Sequence, residues 1–263
     1  MHIQIIGMGV VGKAQAKVMQ KLGHKVTGCD VKPGNFTDIP ITDKPVKNAD
    51  LTFICPPEKV VPDVIENLVT SKVHNPYVIK STVPPGTTQA AMQKHGVHIC
   101  HNPEFLREKT AVEDALNQKF VVIGECCKEH GDAMAELYKP LGAEIIRTKA
   151  NTSEMAKLVL NNYLVTLITF WNEVDKICKV LNLDTKEIAD IVKNDKRVSE
   201  YGTAFFGKPF GGKCLPKDLN QLLDLCRSKG LIVKLFETIK EVNTELEVIN
   251  AHRPEQSQKS LKA

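Results

Sequence analysis

The chain has 263 residues, 42% of them hydrophobic and 25% charged, which suits a globular protein with one large domain or two ordinary ones. The formal net charge is +4 and the lysines are dispersed, without a basic stripe interleaved with aromatics, so nucleic acid is not an expected partner. No apolar run approaches the roughly 20 residues that cross a bilayer, and the N-terminus runs straight into a motif, so neither a membrane span nor a signal peptide is expected.

A dinucleotide-binding pattern is predicted at the start of the chain. A short apolar strand at residues 3–6 precedes the motif Gly7-Met8-Gly9-Val10-Val11-Gly12, a helical pattern, and a second strand at 25–29 that ends in Asp30. In this pattern the first glycine makes the turn, the second lets the backbone approach a pyrophosphate, and the third packs helix on strand. Asp30 is expected to bind the adenosine ribose and repel a 2′-phosphate, which favours NAD over NADP. A glycine-rich turn in another kind of α/β protein is the less favoured alternative.

Further strands and helices alternate up to about residue 148. Strands are predicted at 51–55, 77–80, 97–100, 120–123 and 144–146, with helices near 60–69 and 128–140. This alternation predicts an α/β fold with a Rossmann-type, doubly wound parallel sheet over residues 1–148. Ligands of such sheets bind at the carboxyl ends of the strands, where Pro56, Thr82 and Glu104 fall.

The remainder of the chain is predicted to be all-helical. One pattern from Thr152 to Leu181 has no glycine or proline, spans about 45 Å, and is apolar over most of its circumference. Such a helix must be buried by other helices, in this chain or in a second subunit. Shorter helices are expected near 185–194, 216–229 and 232–249, which gives a helical central and dimerisation domain at 149–250 and a disordered tail at 251–263.

Two polar residues stand out on the long helix. Lys157 and Asn161 are four apart and share one face, so both can address the same point. By spacing alone, a snorkelling lysine beside a surface amide is the better interpretation.

The segment most suggestive of covalent chemistry is Phe210-Gly211-Gly212-Lys213-Cys214-Leu215-Pro216-Lys217-Asp218. Pro216 suits the first turn of a helix, so Cys214 is expected just ahead of the helix N-terminus. There the helix dipole and the two lysines of the segment favour thiolate over thiol. Asp218 falls about one turn beyond Cys214. A buried structural cysteine before an ordinary helix cap fits this spacing about equally well.

The eight cysteines do not show the spacing of a disulfide framework, and no Cys/His group has zinc spacing. Most lie in apolar segments. We therefore expect reduced thiols in a cytoplasmic protein without a bound metal.

Taken together, the motifs resemble the UDP-glucose/GDP-mannose 6-dehydrogenase family, and its UDP-glucose members most of all. The resemblance covers residues 1–243, and its most specific segments are the one around Cys214 and Asn102-Pro103-Glu104-Phe105-Leu106-Arg107-Glu108. The other matching segments, in the family's order, are residues 7–12, 81–87, 154–161, 172–173 and 195–198.

The resemblance implies a four-electron oxidation of a nucleotide sugar, from a C6 alcohol to a carboxylate, with two NAD. Cys214 would add to the aldehyde and form first a thiohemiacetal and then a thioester. Asp218 would hold or deprotonate the hydroxyl or water, and Glu104 would act as base or water activator. Lys157 and Asn161 would stabilise the oxyanion.

It also implies binding residues. The cofactor contacts would be Gly7, Gly9, Val10, Val11, Gly12, Asp30, Pro56, Thr82, Glu108 and Lys217, with Thr82 near the nicotinamide or the catalytic water. The substrate contacts would be Glu104, Phe105, Leu106, Arg107, Glu108, Lys157, Asn161, Gly211 and Arg197, the last of these reaching the substrate of a neighbouring subunit.

The sequence departs from the family pattern in two places. Pro57 stands where the family usually has threonine, and the chain stops soon after Asn243, before the second nucleotide-binding domain that family members carry. A short-form enzyme acting on UDP-glucose, as a homodimer, is therefore the favoured hypothesis. The alternatives are a noncatalytic NAD-binding, dimerising protein or remnant, a UDP-N-acetylmannosamine or GDP-mannose dehydrogenase, and a simpler β-hydroxyacid dehydrogenase that would not need Cys214.

Overall fold

The computed structural model describes residues 1–32, 36 and 38–251. The chain forms two compact units, Met1–Lys157 and the residues from Leu158 onward. The predicted ranges 1–148 and 149–250 remain a prediction about independent domains. Ala251 is the last residue of the final helix, and the rest of the predicted tail lies outside the described residues.

In the described part of the first unit, eight strands form one sheet in the order β3-β2-β1-β4-β5-β6-β7-β8. Buried apolar residues dominate the central strands, as expected for strands covered on both faces. The strands are β1 (His2–Ile6), β2 (Lys25–Cys29), β3 (Ile41–Thr42), β4 (Leu51–Ile54), β5 (Tyr77–Ile79), β6 (Ile99–His101), β7 (Phe120–Glu125) and β8 (Glu144–Lys149). The Rossmann-type α/β prediction is confirmed, and the two-residue strand β3 was not predicted.

One strand pair departs from the fully parallel sheet that the sequence predicts. Strands β6 and β7 are antiparallel, with His101 opposite Gly124, whereas β7 and β8 are parallel. The helix between β6 and β7, α4 (Ala111–Leu116), has six residues and is about 9 Å long. A helix that short does not return the chain along the sheet, so β7 starts at the edge where β6 ends.

Four longer helices complete the first unit and pack on the sheet. They are α1 (Val10–Lys21), α2 (Val61–Thr70), α3 (Thr87–His95) and α5 (Lys128–Tyr138). A core cluster that includes Ile3, Ile5, Met19 and Phe53 lies under α1. The carboxyl ends of β1, β4, β5 and β6 therefore share one edge, because these strands are mutually parallel.

The helix α6 (Ala150–Leu181) follows β8 without a break and has 32 residues. The helices of the second unit are α7 (Thr185–Val192), α8 (Cys214–Ser228) and α9 (Lys234–Ala251). Its core includes Val165, Ile168, Phe210, Leu219, Leu223 and Ile239. In the residues described, no helix combines the length and the apolar character that a membrane crossing requires.

Within this chain, other helices bury only part of the apolar surface of α6, and burial of the rest by a second subunit stays a prediction. Val165 and Ile168 are fully buried, but a second stripe is open. Val159, Tyr163, Phe170 and Ile177 are 49–58% exposed and recur at helical spacing along one face.

Candidate functional site

The glycine motif shapes one wall of a cavity of about 590 Å³ at the carboxyl edge of the sheet, where Asp30 and Pro56 also lie. Gly7 has φ +86°, and a Cβ there would come within 2.8 Å of the Pro56 nitrogen. A Cβ on Gly12 would come within 2.0 Å of the Gly7 carbonyl oxygen. A Cβ on Gly9, by contrast, meets no atom within 4 Å. The turn therefore requires Gly7 and Gly12 for its geometry and leaves open space at Gly9, beside the α1 N-terminus at Val10 and Val11.

Asp30 holds the glycine motif in place. One carboxylate oxygen accepts the Met8 backbone N–H at 2.7 Å, and the other accepts the Lys32 N–H at 2.9 Å. A carboxylate can accept about four hydrogen bonds, so these two leave capacity for a ribose hydroxyl. The shape of the turn and the position of Asp30 on the cavity wall fit NAD.

The next two loops along this edge are joined by Ser81. Its hydroxyl donates to the carbonyls of Pro56 and Ile54 and so links the ends of β4 and β5. Thr82 is half-buried beside it. The predicted cofactor residues Pro56 and Thr82 therefore lie on loops that are tied together at the carboxyl edge.

Glu104 and Lys157 form a buried ion pair within the first unit. The Lys157 Nζ lies 3.0 Å from a Glu104 carboxylate oxygen, and the side chains are 4% and 11% exposed. The ammonium is 5.4 Å from the centroid of the Phe105 ring, and Glu104 also accepts the Leu106 N–H at 2.7 Å. Because Lys157 is buried and paired, the interpretation of a snorkelling surface lysine is wrong.

A second glutamate, which the sequence analysis did not single out, holds this lysine in position. Glu154 is fully buried, and its carboxylate accepts the Gly86 N–H at 2.6 Å and the Thr88 N–H at 2.8 Å. These N–H groups belong to the open N-terminus of α3, where a negative charge is favourable. Burial raises the pKa of Glu154, and the hydrogen bonds from Thr88 and Gly86 oppose that shift. The contact anchors the first turns of α6, one turn before Lys157.

Lys80, the residue after β5, is a second buried charged residue that the sequence analysis did not single out. It is 5% exposed, and its ammonium donates to the Asn102 side-chain oxygen at 2.9 Å. That oxygen also accepts from the Tyr138 hydroxyl at 2.6 Å. Burial lowers the pKa of Lys80 to about 8, with the charges of Cys55 and Glu104 opposing the shift. The only sequence signal was a lysine directly following a buried strand.

In the second unit, Cys214 is the first residue of α8 rather than the residue just ahead of it. The residue is exposed, so the interpretation of a buried structural cysteine is wrong. One turn later, Asp218 is 1% exposed; it pairs with the Lys217 ammonium at 2.6 Å and accepts a hydrogen bond from the Asn161 amide. Asn161 is itself 7% exposed, so it is not a surface amide.

The segment that leads to Cys214 is held by asparagine side chains. Asn243 accepts the Phe210 N–H at 2.7 Å and donates to the Phe210 carbonyl at 3.2 Å, which satisfies both backbone groups of a buried residue. Asn172 donates to the Lys208 carbonyl at 2.8 Å. Gly212, two residues before Cys214, has φ +74°, a conformation that glycine adopts without strain.

Four of the predicted site residues are exposed and are not part of the buried clusters around Lys157 and Asp218. Arg107 is exposed and makes a two-pronged ion pair with Asp114, at 2.6 and 3.0 Å. Arg197 is exposed and pairs with Asp195. Glu108 and Gly211 are exposed as well, with nothing within 4 Å of a Cβ built at Gly211. A wide groove of about 950 Å³ along α8 and α9 contains none of the predicted site residues.

Two successive parts of the chain match domains of one known family. Residues 35–142 match the NAD-binding domain of the UDP-glucose/GDP-mannose dehydrogenase family, and residues 151–245 match the central domain of that family. NAD is therefore the cofactor of the first unit.

Individual relatives agree with the domain matches. UDP-glucose 6-dehydrogenase of Bacillus subtilis is 32% identical over 94% of this chain and 63% of the relative. GDP-mannose 6-dehydrogenase of Pseudomonas putida is 31% identical over 96% of this chain and 71% of the relative. The solved UDP-glucose dehydrogenase of Pyrobaculum islandicum superposes with a TM-score of 0.84 at 28% identity, over 93% of this chain and 68% of that one. This chain thus spans roughly two thirds of the length of its relatives, and it belongs to the UDP-glucose/GDP-mannose dehydrogenase family.

Proposed function

We propose that the chain oxidises the C6 alcohol of UDP-glucose to the carboxylate of UDP-glucuronate in two successive hydride transfers. The observation that carries the proposal is the arrangement at α8, where an exposed Cys214 occupies the first helical position and a buried Asp218 follows one turn later. A thiol at a helix N-terminus is favoured as thiolate, and the thiolate is the nucleophilic form.

The residues divide the chemistry among them as follows. When bound, NAD accepts a hydride from C6 in each of the two oxidations. In the first oxidation Asp218 holds the C6 hydroxyl and takes its proton, which leaves an aldehyde. The Cys214 thiolate then adds to the aldehyde carbon, and the thiohemiacetal oxyanion that forms loses the second hydride to become a thioester. Water activated by Glu104 hydrolyses the thioester, which yields the carboxylate and returns the thiol.

Two groups are assigned to the oxygen that gains negative charge in these steps. Lys157 offers a buried ammonium and Asn161 a buried amide, both on α6. Charged and dipolar donors held in place in a water-poor environment stabilise such an oxyanion strongly. The ion pair with Glu104 offsets the cost of burying Lys157.

UDP-glucose is proposed as the substrate because the segment around Cys214 is most similar to UDP-glucose enzymes. The relatives include a GDP-mannose 6-dehydrogenase of comparable identity, so GDP-mannose and UDP-N-acetylmannosamine are the competing substrates. The cytoplasm is the proposed compartment, and in the described residues, which include all eight cysteines, no disulfide is formed.

NADH formation with a panel of UDP- and GDP-sugars tests the proposal. The purified chain should form two NADH per UDP-glucose consumed, and Cys214→Ser should stop the second oxidation. NADH formation that continues to the carboxylate in Cys214→Ser would exclude the covalent route. No NADH with any sugar, despite measurable NAD binding, would favour the noncatalytic alternative.

We further propose a homodimer that forms through α6. The exposed stripe of Val159, Tyr163, Phe170 and Ile177 is apolar over about 27 Å, and a second copy of the same stripe is its simplest match. The noncatalytic alternative, an NAD-binding protein that dimerises with a partner, would use the same surface.

A further inference from the structure

Four side chains of the types that bind metals lie close together at the amino edge of the sheet, away from the dinucleotide cavity. His98 directly precedes β6, and Cys126 and Cys127 directly follow β7, while His130 lies in the first turn of α5. Because β6 and β7 are antiparallel, the start of one strand lies beside the end of the other. The dinucleotide cavity lies at the opposite edge, where β1 and β4 end.

The spacing of the four ligand atoms is within about 1 Å of that in a tetrahedral zinc site. The Sγ atoms of Cys126 and Cys127 are 3.9 Å apart, and the His130 Nδ1 lies 3.3 and 3.2 Å from them. The His98 Nδ1 lies 3.9 Å from the Cys126 Sγ, and all four ligand atoms lie within 4.8 Å of one another. Zn–S bonds of about 2.3 Å and Zn–N bonds of about 2.0–2.1 Å place tetrahedral ligands roughly 3.3–3.8 Å apart. Only small shifts would be needed.

The turn that carries three of these ligands is fixed by an arginine of β8. The Arg147 guanidinium donates to the Glu125 carboxylate at 2.9 and 2.6 Å, to the Lys128 carbonyl at 3.2 Å, and to Asp132. Gly131 lets these groups pack, because a Cβ there would lie 1.9 Å from a Glu125 oxygen. The cysteine pair is therefore presented by a braced turn between β7 and α5.

We propose that His98, Cys126, Cys127 and His130 bind one zinc ion, which clamps the start of β6 to the β7–α5 turn. Two thiolates and two imidazoles form a donor set that zinc prefers, and four protein ligands leave no position for a substrate, so the site is structural. Within the described chain, none of the four is among the residues that we assign to the dehydrogenase chemistry.

The spacing in sequence did not reveal this site, because His98 lies 28 residues before Cys126 and only the antiparallel strand pair brings them together. Cys100 is a potential competitor, since its buried Sγ lies 3.6 Å from the Cys126 Sγ. A disulfide between these two would remove one zinc ligand.

The test uses the full chain, purified with a phosphine reductant, and measures zinc content and zinc affinity. One zinc per chain is expected. Cobalt in its place should give the strong visible bands of a tetrahedral ion together with sulfur-to-metal charge transfer. The double variant Cys126→Ser/Cys127→Ser should lose affinity by more than the roughly 10–100-fold that accompanies loss of an outer-shell partner.

A milder pair of variants keeps the proposal falsifiable if the double variant does not fold. His98 and His74 are both exposed histidines of the first unit, so His98→Asn should weaken zinc binding and change the cobalt spectrum, whereas His74→Asn should do neither. Zinc should raise the Tm of wild type and His74→Asn alone. Zinc affinity in His98→Asn equal to that of wild type, or zinc binding that is lost in Cys214→Ser instead, would overturn the site. A Cys100–Cys126 disulfide that forms under reducing conditions would overturn it as well.

Discussion

At the scale of single residues, burial decides which polar groups carry chemistry. Lys157 and Asp218 were named from motifs, and their burial and partners could not be read from the sequence. Lys80 and Glu154 were passed over because their partners, Asn102 and Thr88, lie 22 and 66 residues away. Sequence patterns reveal neighbours on one helix or strand, whereas these contacts exist only after the sheet has formed.

The lowered pKa of Lys80 makes a prediction about the pH dependence of stability. With a folded pKa of about 8 and an ordinary value of 10.5, the unfolded chain binds the extra proton between these pH values. Unfolding free energy therefore rises with pH in that window, by about 2 kcal/mol between pH 8 and 9.5 for this group. Urea unfolding at several pH values should show that the unfolding free energy rises with pH in wild type and rises less steeply in Lys80→Met. The exposed Lys109→Met is the control and should keep the wild-type pH dependence. The same pH dependence in Lys80→Met as in wild type would contradict the prediction.

At the scale of elements, the strands and the glycine turn follow from local patterns, and the exceptions have specific causes. The buried runs of β1, β4 and β5 and the positions of Gly7 and Gly12 were predictable, because burial on two faces and a tight turn leave a local signal. The reversed direction of β7 was not predictable, because it follows from the helix α4, which is too short to carry the chain back along the sheet.

The contact of Glu154 with the N-terminus of α3 predicts a large effect on stability. Glu154→Ala would strand the Gly86 and Thr88 N–H groups inside the protein, at about 1–3 kcal/mol for each. Chemical denaturation should show the loss, whereas Glu136→Ala, which removes an exposed pair with Lys139, should change stability by less than about 0.5 kcal/mol. Equal effects of the two variants would mean that the buried contact does not anchor α6.

At the scale of the whole molecule, the open stripe of α6 predicts the oligomeric state. Phe170→Glu places a charge at the middle of the stripe and should shift the wild-type dimer to monomer in sedimentation velocity. Ile232→Glu changes an apolar residue of the second unit that is even more exposed and lies outside α6, and should leave the dimer intact. A wild-type chain that sediments as a monomer at every concentration would contradict the homodimer.

The account of the whole molecule depends on a covalent bond between Cys214 and the sugar. The most direct measurement is peptide mass spectrometry of the chain, quenched with acid during turnover of UDP-glucose and NAD. The account predicts a UDP-glucuronosyl thioester on the peptide that contains Cys214, and none on that peptide in Cys214→Ser. Steady formation of UDP-glucuronate with an unmodified Cys214 peptide at every quench time, and in Cys214→Ser as well, would contradict it.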